Sequence, residues 1–199
     1  ESTETPSFTV YALNVPANYQ TDNEIGFAES RHPNNNAQIT YPPLTSKPNT
    51  HTLDIPTNIN AVSFVHVHND DWYLNGVLQR TTKMLSVQDL YTLAVPMKEN
   101  AQTLNVPIED TYAMMLSSEG IFAIKITDVT FNFANIEWNN FIAKYWKSVN
   151  KLATDDNMNP VTLKIMLLNL MKDFGLYDKM QLLEGTVNSS STIPTWKKV

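Results

Sequence analysis

Ala61–His68, AVSFVHVH, is the segment that most limits what this chain can fold into. Side chains alternate across a strand, so Val62, Phe64, His66 and His68 share one face while Ala61, Ser63, Val65 and Val67 share the other. Both faces are largely apolar. Such a strand belongs in the interior of a sheet covered on both sides, and this one carries imidazoles at its far end. The chain is long enough to build that core. Its 199 residues, 42% hydrophobic and 17% charged, suit one folded domain with a helical appendage.

The segments around the strand suggest the rest of the fold. Residues 2–60 are rich in Pro, Thr and Asn and read as short strands, Phe8–Leu13, Gly26–Ala28 and Ala37–Tyr41, joined by long loops. Asn69–Leu85 reads as a polar loop. Ser86-Val87-Gln88-Asp89 then opens a helix with an N-cap serine and an acidic N3 residue. Pro96 interrupts that helix, and Met97–Leu104 resumes it. Thr111–Leu116 and Ile121–Ile126 flank Ser-Ser-Glu-Gly as a hairpin ending in Gly120. Two amphipathic helices follow, over 136–152 and 160–174, with Gly175 as the C′ residue of the second. Residues 187–195 read as a polar loop that Trp196 tethers to the body. The expected architecture is α+β: a mixed, curved sheet with Ala61–His68 central, flanked by helices. It forms a single domain, 1–199, with a core at 8–130 and a helical extension at 131–199.

Composition removes several function classes. The formal net charge is −6, from 14 basic and 20 acidic residues, so the chain has no basic excess for nucleic acid or an anionic membrane surface. It has no Cys, which rules out disulfides, thiolate zinc sites and cysteine nucleophiles. Five glycines form no phosphate-binding loop. The longest apolar cluster, Ile165–Leu170, soon meets Lys172 and Asp173, too early for a membrane span. Beginning at Glu1 rather than Met, the chain reads as a trimmed or mature form. A soluble protein is expected, the cytoplasm favoured and a removed signal peptide left open; the oligomeric state is not indicated.

One constellation carries chemistry. His66 and His68 project from the same strand face at a separation that lets both ligate one metal, and Asp89 adds a carboxylate in the first turn of the next helix. Two imidazoles and one carboxylate make a catalytic zinc set with the fourth position left for water. Each member has a plainer reading alone: Ser86 and Asp89 as a helix cap, Glu24 as a solvated loop acid, Asp70 and Asp71 as surface charge. Trp138, Phe141, Tyr145 and Trp146 read as packing residues, as does the Met-rich stretch 158–180. Amidohydrolase-like barrels also use H-x-H but need a much longer chain. Cupins require a later His, and none follows His68; no G-x-S-x-G turn supports a serine triad.

H-x-H on a buried strand, S-x-x-D opening a helix and a Glu well upstream resemble the JAMM (MPN-plus, JAB-like) zinc metalloprotease superfamily, as a divergent bacterial-type member. The resemblance covers about residues 22–128. It implies a JAB/MPN-like (cytidine-deaminase-like) fold, zinc held by His66, His68 and Asp89, Glu24 as general base and Ser86 as oxyanion donor. Glu24 is placed by Glu24-Ile25-Gly26-Phe27, which matches the family's glutamate segment, with Glu29 as the fallback base. The hairpin MMLSSEGIFAIKI is also similar to JAB-like bacterial domains. The implied activity is hydrolysis of a peptide or isopeptide bond in a protein or peptide substrate; the alternative is a catalytically silent MPN-like binding module. Two departures shape the expected site. Asn69 stands where the family usually has Pro, and Ser86 follows His68 by 18 residues, about twice the family's spacing. Residues 70–83 are therefore an insertion, expected to loop out beside the metal and to line or cover the substrate groove.

Overall fold

The computed structural model describes residues 23–46, 53–55, 59–187 and 194–199. The expected strand Phe8–Leu13 and most of the expected loop at 187–195 lie outside these. Among the described residues, eleven strands and three principal helices form. The strands are β1 (Gly26–His32), β2 (Asn35–Thr40), β3 (Thr45–Ser46), β4 (Leu53–Asp54), β5 (Ala61–Val67), β6 (Trp72–Leu74), β7 (Val77–Gln79), β8 (Tyr112–Ser117), β9 (Gly120–Ile126), β10 (Met180–Thr186) and β11 (Thr195–Lys198). Seven of them make one mixed sheet in the order β11-β10-β9-β8-β5-β1-β2. Within it β5 and β8 run parallel and every other neighbouring pair is antiparallel. A parallel neighbour requires a crossover, and here the chain between β5 and β8 carries the first helix.

All seven residues of β5 are buried, as its two apolar faces require. On the helix-covered face Phe64, Met115, Phe122 and Ile124 join Leu90, Leu93, Phe141, Tyr145, Leu163 and Leu167 in the main core. On the opposite face Val65, Val67, Tyr112, Met114 and Leu116 form a second cluster, with Phe27 and Trp196 packed against it. His66 shares the face of Phe64, so the imidazoles emerge under the helices.

Helix α1 comprises Val87–Thr92, a π-helical turn at Leu93–Met97 and Lys98–Thr103. Pro96 does not break it. Proline lacks an N–H and crowds the carbonyl four residues back; the π turn changes the bonding there, with the Lys98 N–H donating to the Leu93 carbonyl, and the helix continues. Helices α2 (Trp138–Thr154) and α3 (Pro160–Asp173) follow. Asn159 caps α3 by accepting from the Thr162 N–H at 3.0 Å, Pro160 fills its first position, and Gly175 ends it at φ +69°.

Two regions differ from expectation. Residues 131–199 are not a helical extension throughout: after α3 the chain returns as β10, which pairs with β9 from Met180↔Ile126 to Gly185↔Ile121, and β11 pairs with β10 in turn. Trp196 is indeed the tether, but through strand pairing. A Cβ on Gly185 would lie 2.9 Å from the indole, so glycine lets the ring settle on β10. The second difference is Asn69–Leu85, expected as a polar loop. It contains a hairpin, β6–β7, closed by Asn75 (φ 51°) and Gly76 (φ 78°), the two positive-φ residues of a type I′ turn. No helix among the described residues is long and apolar enough to cross a membrane.

Candidate metal centre

Strand register places the first acid beside the imidazoles. Gly26 lies opposite His66 in the β1–β5 ladder, and a Cβ there would be 2.6 Å from the Val65 carbonyl oxygen and 3.0 Å from His66 Cβ. Glycine thus lets β1 lie close against β5 at the functional residue. Just upstream, the Val67 N–H donates to the Ile25 carbonyl at 2.9 Å, which holds the segment carrying Glu24 at the strand end. Glu24, His66 and His68 are all buried, and each offers a ligand atom within 4.8 Å of the others.

The imidazole tautomers follow from their partners. His68 Nδ1 is 2.5 Å from the Thr82 carbonyl oxygen, which can only accept, so Nδ1 carries the proton. That leaves His68 Nε2 as a lone pair, 2.8 Å from His66 Nε2. Two lone pairs do not face each other at that distance without a proton or a cation between them. Two zinc–nitrogen bonds at a tetrahedral angle separate the nitrogens by about 3.3 Å, so a half-ångström opening of the pair admits the ion. The Thr82 contact is the backbone-carbonyl partner that metal-ligating histidines usually have. These residues fit a divalent cation.

Asp89 is oriented by its own helix cap. Its Oδ2 accepts from the Ser86 N–H at 2.7 Å and from the Ser86 hydroxyl at 2.9 Å, while Ser86 Oγ accepts from the Asp89 N–H at 3.3 Å. This capping box turns the other oxygen, Oδ1, to 3.6 Å from His66 Nε2. The plain reading of S-x-x-D and the chemical one are therefore the same geometry. Asp89 stands just outside the tightest donor set, which Glu24 completes with the two imidazoles.

Electrostatics reflect this crowding. Burial pushes the Glu24 carboxyl up to about 9, and Asp89 adds to the shift. Burial raises Asp89 too, opposed by His68 and by the Ser86 hydrogen bonds. His66 is lowered to about 4 by burial, with the Met114 backbone opposing. His68 is likewise lowered to about 4, first by burial and then by His66, while Asp89 and the Thr82 carbonyl oppose. Both rings are neutral at pH 7, the ligand form.

Lys83, the last residue of the insertion and not among the expected site residues, closes its base. Its buried ammonium donates to the Asn69 carbonyl at 2.6 Å, to Thr81 Oγ1 at 2.8 Å and to Asp70 Oδ1 at 3.1 Å. Asp70 also accepts from the Ser118 hydroxyl. Both ends of the insertion are thus clamped next to His68, and the clamp sets the Thr82 carbonyl against the ring. Lys83 lies 13 residues after Asp70, so nothing in the sequence signals the clamp; the β6–β7 hairpin brings the two together.

Glu24, His66, His68, Ser86 and Asp89 all line one cleft of about 480 Å³, together with Arg80, Thr81 and Thr82 from the end of the insertion. Glu29, the fallback base, is excluded by position. It pairs with Ser63 in the ladder, on the opposite face of the sheet, where it is bound to Arg31 and accepts from the Tyr112 hydroxyl at 3.1 Å. Asp71 accepts from the Thr81 N–H at 2.9 Å and takes no part in the donor set. Comparison of the chain with protein-family models, with curated proteins and with solved structures finds no match.

Proposed function

We propose that this chain is a zinc-dependent peptidase or isopeptidase of the JAMM type, hydrolysing an amide bond in a protein or peptide substrate. The observation that carries the reading is the convergence, in one buried cleft, of a glutamate and two neutral imidazoles with an aspartate whose free oxygen is 3.6 Å from His66 Nε2. The mixed sheet, with α1 bridging its parallel pair, supports a JAB/MPN-like (cytidine-deaminase-like) fold.

Zinc held by His66, His68 and Asp89 would supply Lewis acidity, lowering the pKa of a water towards neutrality and polarising a carbonyl. A cation on the imidazoles would favour the Glu24 carboxylate over the protonated form that burial imposes without metal, and that carboxylate takes the proton from the attacking water and returns it to the leaving amine. Ser86 donates to the developing oxyanion, a contribution of about 3 kcal/mol for one such donor. In the resting arrangement its hydroxyl hydrogen goes to Asp89 Oδ2. When the hydroxyl turns away, Asp89 keeps the Ser86 N–H, so the ligand stays oriented. Burial of the donor set excludes bulk water and strengthens these contacts.

Metal analysis and activity test the proposal together. Protein purified without chelator is expected to hold one zinc per chain and to cleave an amide substrate, with Glu24→Gln folded, zinc-loaded and inactive. Metal-free, fully folded protein would overturn it.

A further inference from the structure

One wall of the cleft lies outside the part of the chain that resembles the metallopeptidases. Trp146, Val149, Asn150 and Ala153 line it from α2, and Met158 from the turn before α3. Spacings of three, four and seven residues put the four α2 positions on one stripe of that helix. The stripe is apolar except for Asn150. The remaining lining includes Leu53 and Ile55, from β4 and the residue after it. Among the described residues that line the cleft, charges are confined to two places: the Glu24–Asp89 end and Arg80. Arg80 is engaged at the rim by Asp156, Nη2 to Oδ1 at 2.5 Å, so among the described lining residues the wall away from the donor set is largely apolar.

We infer that the cleft selects an amide substrate with a large apolar side chain next to the bond to be cleaved, held between the α2 stripe and the Leu53–Ile55 segment. The inference rests on the hydrolase reading only for the bond; the side-chain site stands on the cleft itself. A cavity of about 480 Å³ is the size of a small-ligand site. A glycine tail would leave its apolar walls facing water, whereas a phenylalanine ring covers them, a difference worth on the order of ten-fold or more in affinity.

The full chain, with and without one equivalent of zinc, is titrated calorimetrically with N-acetyl-phenylalanine amide and N-acetyl-glycine amide. The phenylalanine probe is expected to bind at least ten-fold more tightly. Ala153→Trp, which adds a large ring to the cleft wall from α2, a helix that contributes no donor, should remove that preference while circular dichroism stays unchanged. Trp146→Ala, a truncation at a half-exposed position, should weaken the phenylalanine probe several-fold. Equal binding of the two probes, no binding of either, or a preference that survives both variants would overturn the inference. Hydrolysis is read separately. Selective binding without cleavage sinks the hydrolase and leaves the side-chain site; equal cleavage of phenylalanyl and glycyl amides does the reverse.

Discussion

Glu24 and Glu29 stand five residues apart, one just before β1 and one within it, and the sheet lies between their side chains. An odd separation along an extended segment points side chains to opposite faces. Glu29 is buried beside Arg31 and Tyr112, a cation and a hydroxyl donor that satisfy its two oxygens. Glu24 is as deeply buried, but its neighbours are two imidazoles and the Asp89 carboxylate, and among the described residues no Lys or Arg pairs with it. The first arrangement is complete within the chain and holds β1 to β8. The second is a concentration of acceptors that is stable with protons or with a cation, and that is the electrostatic signature of a site. Burial alone does not separate a structural acid from a functional one; its partners do.

The largest effect expected from breaking this contrast is on metal content. His66→Ala or Asp89→Ala should lose the bound zinc while Glu29→Gln keeps it, measured by elemental analysis of each purified variant. Equal zinc in all three would dissolve the distinction. Glu24→Gln comes next: hydrolysis should fall by at least about a hundred-fold with zinc retained, because the amide keeps the shape but accepts no proton. If zinc falls along with activity, Glu24 is a ligand rather than the base. Glu29→Gln should spare activity and instead cost stability, on the order of 2–3 kcal/mol, since it leaves a largely buried Arg31 without its counter-charge; urea denaturation reads this directly.

Smaller effects sharpen the picture. Lys83→Met should lower zinc affinity about ten-fold through the displaced Thr82 carbonyl and His68 ring, with Lys83→Arg partly restoring it; an unchanged zinc titration would make the clamp purely structural. In metal-free protein, pH gives a test of sign. Glu24 binds its proton more tightly folded (about 9) than unfolded (4.5), so its contribution is lost as pH rises through that window. The imidazoles, at about 4 folded against 6.5 unfolded, contribute above pH 6.5 and lose stability as pH falls below it. From pH 7 to 9 the imidazoles no longer titrate, so of these three groups Glu24 alone contributes a slope, and chelator-treated protein should melt at progressively lower temperature. Glu24→Gln should flatten that decline, and Glu29→Gln should not.

Sequence periodicity alone determined that Ala61–Val67 is an interior strand, that Ser86 begins a helix, that Tyr112–Ile126 is a hairpin and that two long helices follow. Each of these rests on local chemistry: alternation, a capping pair, turn residues, an apolar stripe. The shared direction of His66 and His68, two apart on a strand, and of Ser86 and Asp89, three apart on a helix, was also legible, because such spacings fix relative direction without any tertiary contact, whereas Glu24 was singled out only by the family resemblance. The hairpin in the insertion was legible through Asn75-Gly76 between Trp72-Tyr73-Leu74 and Val77-Leu78-Gln79, although its strands are only three residues each. What only the tertiary structure decided was set by pairing between distant segments. The β1–β5 register, with its bulge after Glu29, chose Glu24 over Glu29 for the imidazole face. The closure of β10 on β9 turned an apparent helical tail into part of the sheet. The packing of α2 beside the imidazoles built the apolar wall of the cleft. None of these follows from periodicity, because a strand or helix specifies which of its faces is apolar but not which partner will cover it.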